Sequence, residues 1–139
     1  MHSEDAQINV TFPDVDVPVA VAAVRRMNDL FDALWASGRL RSLMEVYEGS
    51  EAVHAFTAVF LSAMRQLNEA EKAALDVVTI SVQVRPSTRL TLIAFARRLL
   101  ELMGDAATMR SIGVDPLRPD ELGFIVPFVD RAEGVLAAG

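Results

Sequence analysis

The sequence predicts a mainly α domain of five to six helices carrying a minor two-stranded β ribbon from residues 7–12 and 79–84. Three observations lead there. Apolar residues recur at helical spacing through most of the chain. Only two short segments alternate with a period of two. The apolar content is 52% while aromatics are 6%, so Ala, Val and Leu carry the core and favour close helix packing over a large aromatic pocket. A chain of 139 residues fits one domain, which at that size removes roughly 70% of its unfolded surface from water. No repeat or linker-like tract divides it, so residues 1–139 read as a single domain with 1–6 as a disordered tail.

QINVTF (7–12) sets Ile8, Val10 and Phe12 against Gln7, Asn9 and Thr11, the pattern of a half-buried strand. PDVDVP (13–18) reads as a turn in which Asp16 is the N-cap of a helix presenting Val24, Met27, Phe31, Leu34 and Trp35 on one face. Gly38 stops it. RLRSLMEVYE gives a short helix with Leu40, Leu43, Met44 and Tyr47 on one side, ending at Gly49. Ser50 then caps a helix with Val53, Phe56, Val59, Phe60, Met64 and Leu67 inward, and Asn68 with Glu71 makes a capping-box pattern for a further one. TISVQV (79–84) alternates Ile80, Val82 and Val84, although Leu75, Val78 and Val82 also fit a continuing helix. The alternation favours a strand paired with the first. Such a ribbon is marginal alone in water, so it must lie on helices or join a second subunit's ribbon.

Residues 88–103 form a helix that is apolar nearly all round apart from Arg89, Arg97, Arg98 and Glu101, which marks a central or intersubunit element. Gly104 ends it, a short helical turn covers 105–112, and Pro119 with Asp120 and Glu121 opens a last helix that Pro127 should kink.

The net charge of −6 works against nucleic acid, whose phosphates draw most of their affinity from Lys and Arg. Of 13 basic residues all but Lys72 are arginine, a bias that points to high-GC bacterial or phage coding rather than to function. Without cysteine there is no disulfide, thiolate nucleophile or thiolate-held metal. The acidic amino end, MHSEDAQ, is no signal peptide, and no apolar run reaches the length of a membrane span, so a cytoplasmic protein is expected.

Catalytic signatures are missing. The seven glycines are too scattered for GxGxxG or a phosphate-binding loop, and neither HExxH nor GxSxG occurs. No cofactor or metal is expected. Asp14 and Asp16 suggest a metal pair, but Val17, Pro18 and Val19 follow where a Ca2+ loop needs further oxygen ligands and a glycine. His2 lies in the tail. His54 is a lone helical histidine, more often a core or boundary residue than a base, although a triad assembled from distant residues stays open.

Two stretches carry functional hypotheses. In VRPSTRLTL (84–92) a helix begins with Arg85, Ser87, Thr88 and Arg89, and a cation in a first turn opposes the helix dipole. Ser87 or Thr88 would be the N-cap, and the group forms a candidate anion site for phosphate or carboxylate, unless a carboxylate of the chain itself pairs with the arginines. In GFIVPFV (123–129), Phe124, Ile125, Val126, Phe128 and Val129 cannot share one helix face, so they either dock on the chain's own core or form an interface. The favoured expectation is a non-enzymatic interaction or assembly protein, a homodimer offering an apolar surface to a protein partner. The alternative is a small-molecule-binding domain with an apolar helical pocket, taking a small acidic ligand at the arginines. A nucleic-acid-binding regulator, with Arg97 and Arg98 extending a basic patch, is third.

Overall fold

The computed structural model describes residues 6–41 and 51–138. Strand β1 (Ile8–Asp16) leads into α1 (Val17–Ala36); α2 (Glu51–Lys72) precedes β2 (Val77–Val84); a 3-10 turn (Pro86–Thr88) runs into α3 (Arg89–Gly104), followed by α4 (Ala106–Ser111) and α5 (Pro119–Ala138). The fold is therefore mainly helical with one two-stranded antiparallel sheet, β1 against β2. Residues 39–41 are helical; the rest of the expected short helix with Leu43, Met44 and Tyr47, its end at Gly49, the Ser50 cap and His2 lie outside the described residues.

Both strands run longer than their alternation suggests. Residues 13–16 are not a turn but continue β1: Phe12 faces Ile80 and Val15 faces Val78, so β1 carries one extra residue, a bulge. Pro13 lacks an N–H and Asp14 adopts φ 56°, and a bulge tolerates both. Asp16 then caps α1, its carboxylate accepting the Val19 N–H at 3.3 Å.

Asn68 and Glu71 do not start a new helix, because α2 continues through Lys72. Leu67 and Ala70 are buried against the ribbon, and that packing outweighs a local capping pattern. The helix ends instead in a Schellman turn, Leu75 N–H to Ala70 O and Ala74 N–H to Glu71 O, with Ala74 left-handed at φ 57°. α4 ends the same way, with Val114 N–H to Met109 O and Gly113 N–H to Arg110 O, but there a glycine takes the left-handed residue at φ 82°.

The ribbon lies on helices, and its register puts Val10, Ile80, Val82 and Val84 into the core while Asn9, Thr11, Ser81 and Gln83 line the opposite face. Both outer edges are occupied near their middle. The Gln66 amide from α2 pairs with the Ser81 backbone as a neighbouring strand would, accepting from its N–H at 3.0 Å and donating to its carbonyl at 2.6 Å. On the other edge Arg131 from α5 donates to the Thr11 carbonyl at 2.6 Å. Satisfied edge groups remove the template for pairing with a further strand at those positions.

Two apolar cores result. One gathers the ribbon with α1, α2 and Leu136; the other gathers Leu30, Leu34, Phe95, Leu99, Met103 and Met109 among the helices. Helix α3 serves both: Leu92 and Ile93 enter the first, while Phe95, Leu99 and Met103 enter the second. Arg26 ties α1 to the segment before α5, donating to the carbonyls of Asp115 and Pro116 at 2.8 and 2.9 Å and pairing with Glu121 at 3.3 Å. No helix of the described residues is long and apolar enough to cross a membrane.

Candidate functional site

A cleft of about 610 Å3 opens where the end of the ribbon meets the first half of α2. That volume falls within the roughly 300–1,000 Å3 of small-molecule sites. Helix α2 contributes Glu51, His54, Ala55, Ala58 and Val59. Their spacing of three and four residues puts all five on one helix face, and the two alanines leave the room. Gln7 comes from just before β1, while Gln83, Val84 and Arg85 come from the end of β2. Thr88 and Leu92 close the far side. The floor, with Val59, Val84 and Leu92, is apolar; the exposed Glu51, His54 and Arg85 stand on the rim.

The expected anion-binding group is divided. Arg85 and Thr88 line the cleft; Ser87 and Arg89 do not. Pro86 holds Arg85 extended at φ −70° and ψ 133°, which aims it past the end of the strand. Thr88 is buried, and its hydroxyl donates to the Arg85 carbonyl at 3.1 Å, so it anchors the turn and is not free to donate to a ligand. Thr88 takes the N-cap position of α3, as its sequence position suggests, but its side chain makes no capping bond, because the chain runs through a 3-10 turn there first.

Arg89 turns back and donates from Nη1 to the Pro86 carbonyl at 2.8 Å, while its Nε is buried without a partner. A carbonyl dipole thus meets the cation that opposes the helix dipole. Among the described residues neither Arg85 nor Arg89 forms an ion pair with a carboxylate. Arg97 and Arg98 behave differently. Arg97 binds Glu133 at 2.6 Å and Asp130 at 2.8 Å, which holds its guanidinium above the usual arginine range, and Arg98 pairs with Glu101 at 2.7 Å. Neither extends a free basic patch.

The apolar side chains of 123–129 lean on the chain's own cores, most of them without being fully covered. Ile125 is buried, and Phe124, Val126, Phe128 and Val129 are half-buried against the two cores. Phe128 sits edge-on to Phe12 at 5.4 Å and to Phe124 at 5.2 Å. The large apolar side chains that remain exposed are others, among them Trp35, Leu61 and Leu90.

Among the described residues no three His, Asp or Glu side chains cluster as metal ligands; Asp14 sits on the bulge and Asp16 caps α1. Nothing in the sequence pointed to Glu51 at a cleft, and His54 reads there as a core or boundary residue, although their position with Ala55, Ala58 and Val59 on one face was visible. What was missing was the knowledge that the ribbon ends over that face. Among the described residues the cleft offers a guanidinium, an imidazole, a carboxylate and two amides above an apolar floor, and the Thr88 hydroxyl there is committed to the Arg85 carbonyl. Compared with known proteins, no family model matches the chain, and no curated protein or solved structure matches it.

Proposed function

We propose that this protein is a non-enzymatic small-molecule-binding domain whose ligand lies in the cleft between α2 and the end of the ribbon. The observation that carries the reading is the convergence of Arg85, His54 and Glu51 above an apolar floor, with the Arg85 guanidinium free of any carboxylate among the described residues. The fitting ligand has an apolar body, an acidic group for Arg85 and a hydrogen-bond donor for Glu51.

Calorimetric titration with benzoate, hexanoate and inorganic phosphate tests this. Binding of a carboxylate that is lost in Arg85→Ala and kept in Arg89→Ala supports the reading, because only the first guanidinium lines the cleft. No binding to the wild type, or equal loss in both variants, sinks it.

A second reading, assembly as a homo-oligomer, has support from a different surface than residues 123–129. Val19, Leu75 and Val77 are 45%, 47% and 54% exposed. They sit together at the end of the molecule where the Val17 N–H donates to the Asp76 carbonyl at 2.9 Å. Solution mass decides: a dimer that Leu75→Glu converts to a folded monomer supports assembly there, and a monomeric wild type removes it.

A further inference from the structure

Sharing Val59 with the cleft, a second, half-open pocket of about 170 Å3 lies where the two cores meet. Its walls come from β1, β2, α1, α2 and α5, and every lining side chain is apolar. We propose that this cavity is a binding site for a small uncharged apolar molecule of about the size of benzene. The inference stands independently of the cleft, since it uses none of the cleft's polar groups.

The construction of the walls supports it. Phe12, Phe124 and Phe128 form a trio of edge-on rings at 5.4 and 5.2 Å on one side. Phe56 and Phe60 stack at 5.8 Å on the other, and Phe56 is held in turn by Phe31 at 6.1 Å and Phe95 at 5.6 Å. Each of these rings rests on at least one other, which favours the observed arrangement over one that fills the space. The rest of the wall includes Ala20 and Ala23 of α1 and, beside Phe60 on α2, Ala63, side chains too short to reach across.

Water in this half-open space gains no hydrogen bond from its walls, since no polar side chain lines it, so an apolar occupant displaces it at little cost. Enclosed apolar cavities of roughly 150 Å3 accept benzene or xenon, and this half-open pocket offers a similar volume to the same ligand class. The partly buried residues Val24, Phe60 and Ala63 line the space as well, so the walls include side chains that reach toward solvent and offer a route in.

Benzene is the probe, read by thermal shift and by methyl chemical shifts of the full chain. The expected result is a saturable rise in Tm with benzene, with shifts concentrated on Ile80, Val82 and Val24 and absent from Met109 and Leu117 in the other core. Ala63→Met, which puts a flexible side chain into the space, should fold and lose the benzene response. No saturable shift in the wild type, or shifts spread evenly over both cores, overturns the proposal. Should Ala63→Met not fold, the methyl map of the wild type decides alone. Because benzene carries no acid, a failure here leaves the carboxylate titration at Arg85 untouched, and the converse also holds.

Discussion

Val59 has a charged cleft on one side and an apolar cavity on the other, and the two spaces are made by opposite means. The cleft is bordered by groups that stay in water: Glu51, His54 and Arg85 are exposed, and their removal leaves no hole. The cavity is bordered by the rings and aliphatic groups that join the two cores. The cleft can therefore change its chemistry with little effect on folding, whereas any change to the cavity wall is first a change in stability. Binding and stability should separate along that line.

The hardest test of the separation is Phe128→Asp. Its ring touches Phe12 and Phe124, so the substitution removes two aromatic contacts and places a carboxylate against the apolar wall. Loss of a fully buried Phe side chain costs about 3–5 kcal/mol; half-buried Phe128 gives part of that, and a carboxylate against the apolar wall adds to it. The expected outcome is loss of cooperative unfolding by circular dichroism. A folded protein of altered mass would instead mean that this face meets a second chain. Next in size is Ile125→Ala, for which chemical denaturation should show a loss of about 2–5 kcal/mol.

Smaller, and of opposite sign, is Ala74→Gly at the end of α2. The equivalent residue at the end of α4 is Gly113, and the left-handed conformation costs a residue with a Cβ about 1–2 kcal/mol. Part of that is offset by the greater unfolded-state freedom of glycine, so a gain of up to about 1 kcal/mol is expected, with binding at both spaces unchanged. Smaller still is the effect of Arg85→Ala on stability, within about 0.5 kcal/mol, as befits an exposed side chain without an ion pair. Carboxylate binding should be lost in the same variant. A large loss of stability there would break the contrast between rim and wall.

Much of the fold was legible because its signals are periodic. Ile8, Val10 and Phe12 alternate in sequence and pair across with Val84, Val82 and Ile80, and the helix from 89 onward is as central as its all-round apolar surface implies. What escaped depended on partners far along the chain. Pro13 and Asp14 have the composition of a turn, and only pairing with β2 makes them a bulge. Asn68 and Glu71 have the composition of a helix start, and only burial of Leu67 and Ala70 keeps α2 running past them. The direction of 123–129 could not be read, since an apolar stretch looks the same facing its own core or another chain. Arg85 and Arg89 likewise look equivalent; the 3-10 turn sends one into the cleft and folds the other back onto Pro86.

The smallest expected effect separates the two spaces by charge. Asp105 is held below the ordinary carboxylate range chiefly by the hydroxyl of Thr108, and Asp120 chiefly by the guanidinium of Arg118. A carboxylate whose folded pKa is depressed contributes stability above its ordinary value of 3.8 and loses it as pH falls through the lowered folded value. Both groups are exposed, so the loss of Tm below about pH 4 should be slight and should diminish in added salt. No lining residue of the cavity titrates, so the benzene-induced rise in Tm should keep its size from pH 7 to pH 4 while the baseline begins to fall. A benzene response that weakened in step with acidification would place an ionisable group against the ligand, and the apolar cavity between the two cores would not be its site.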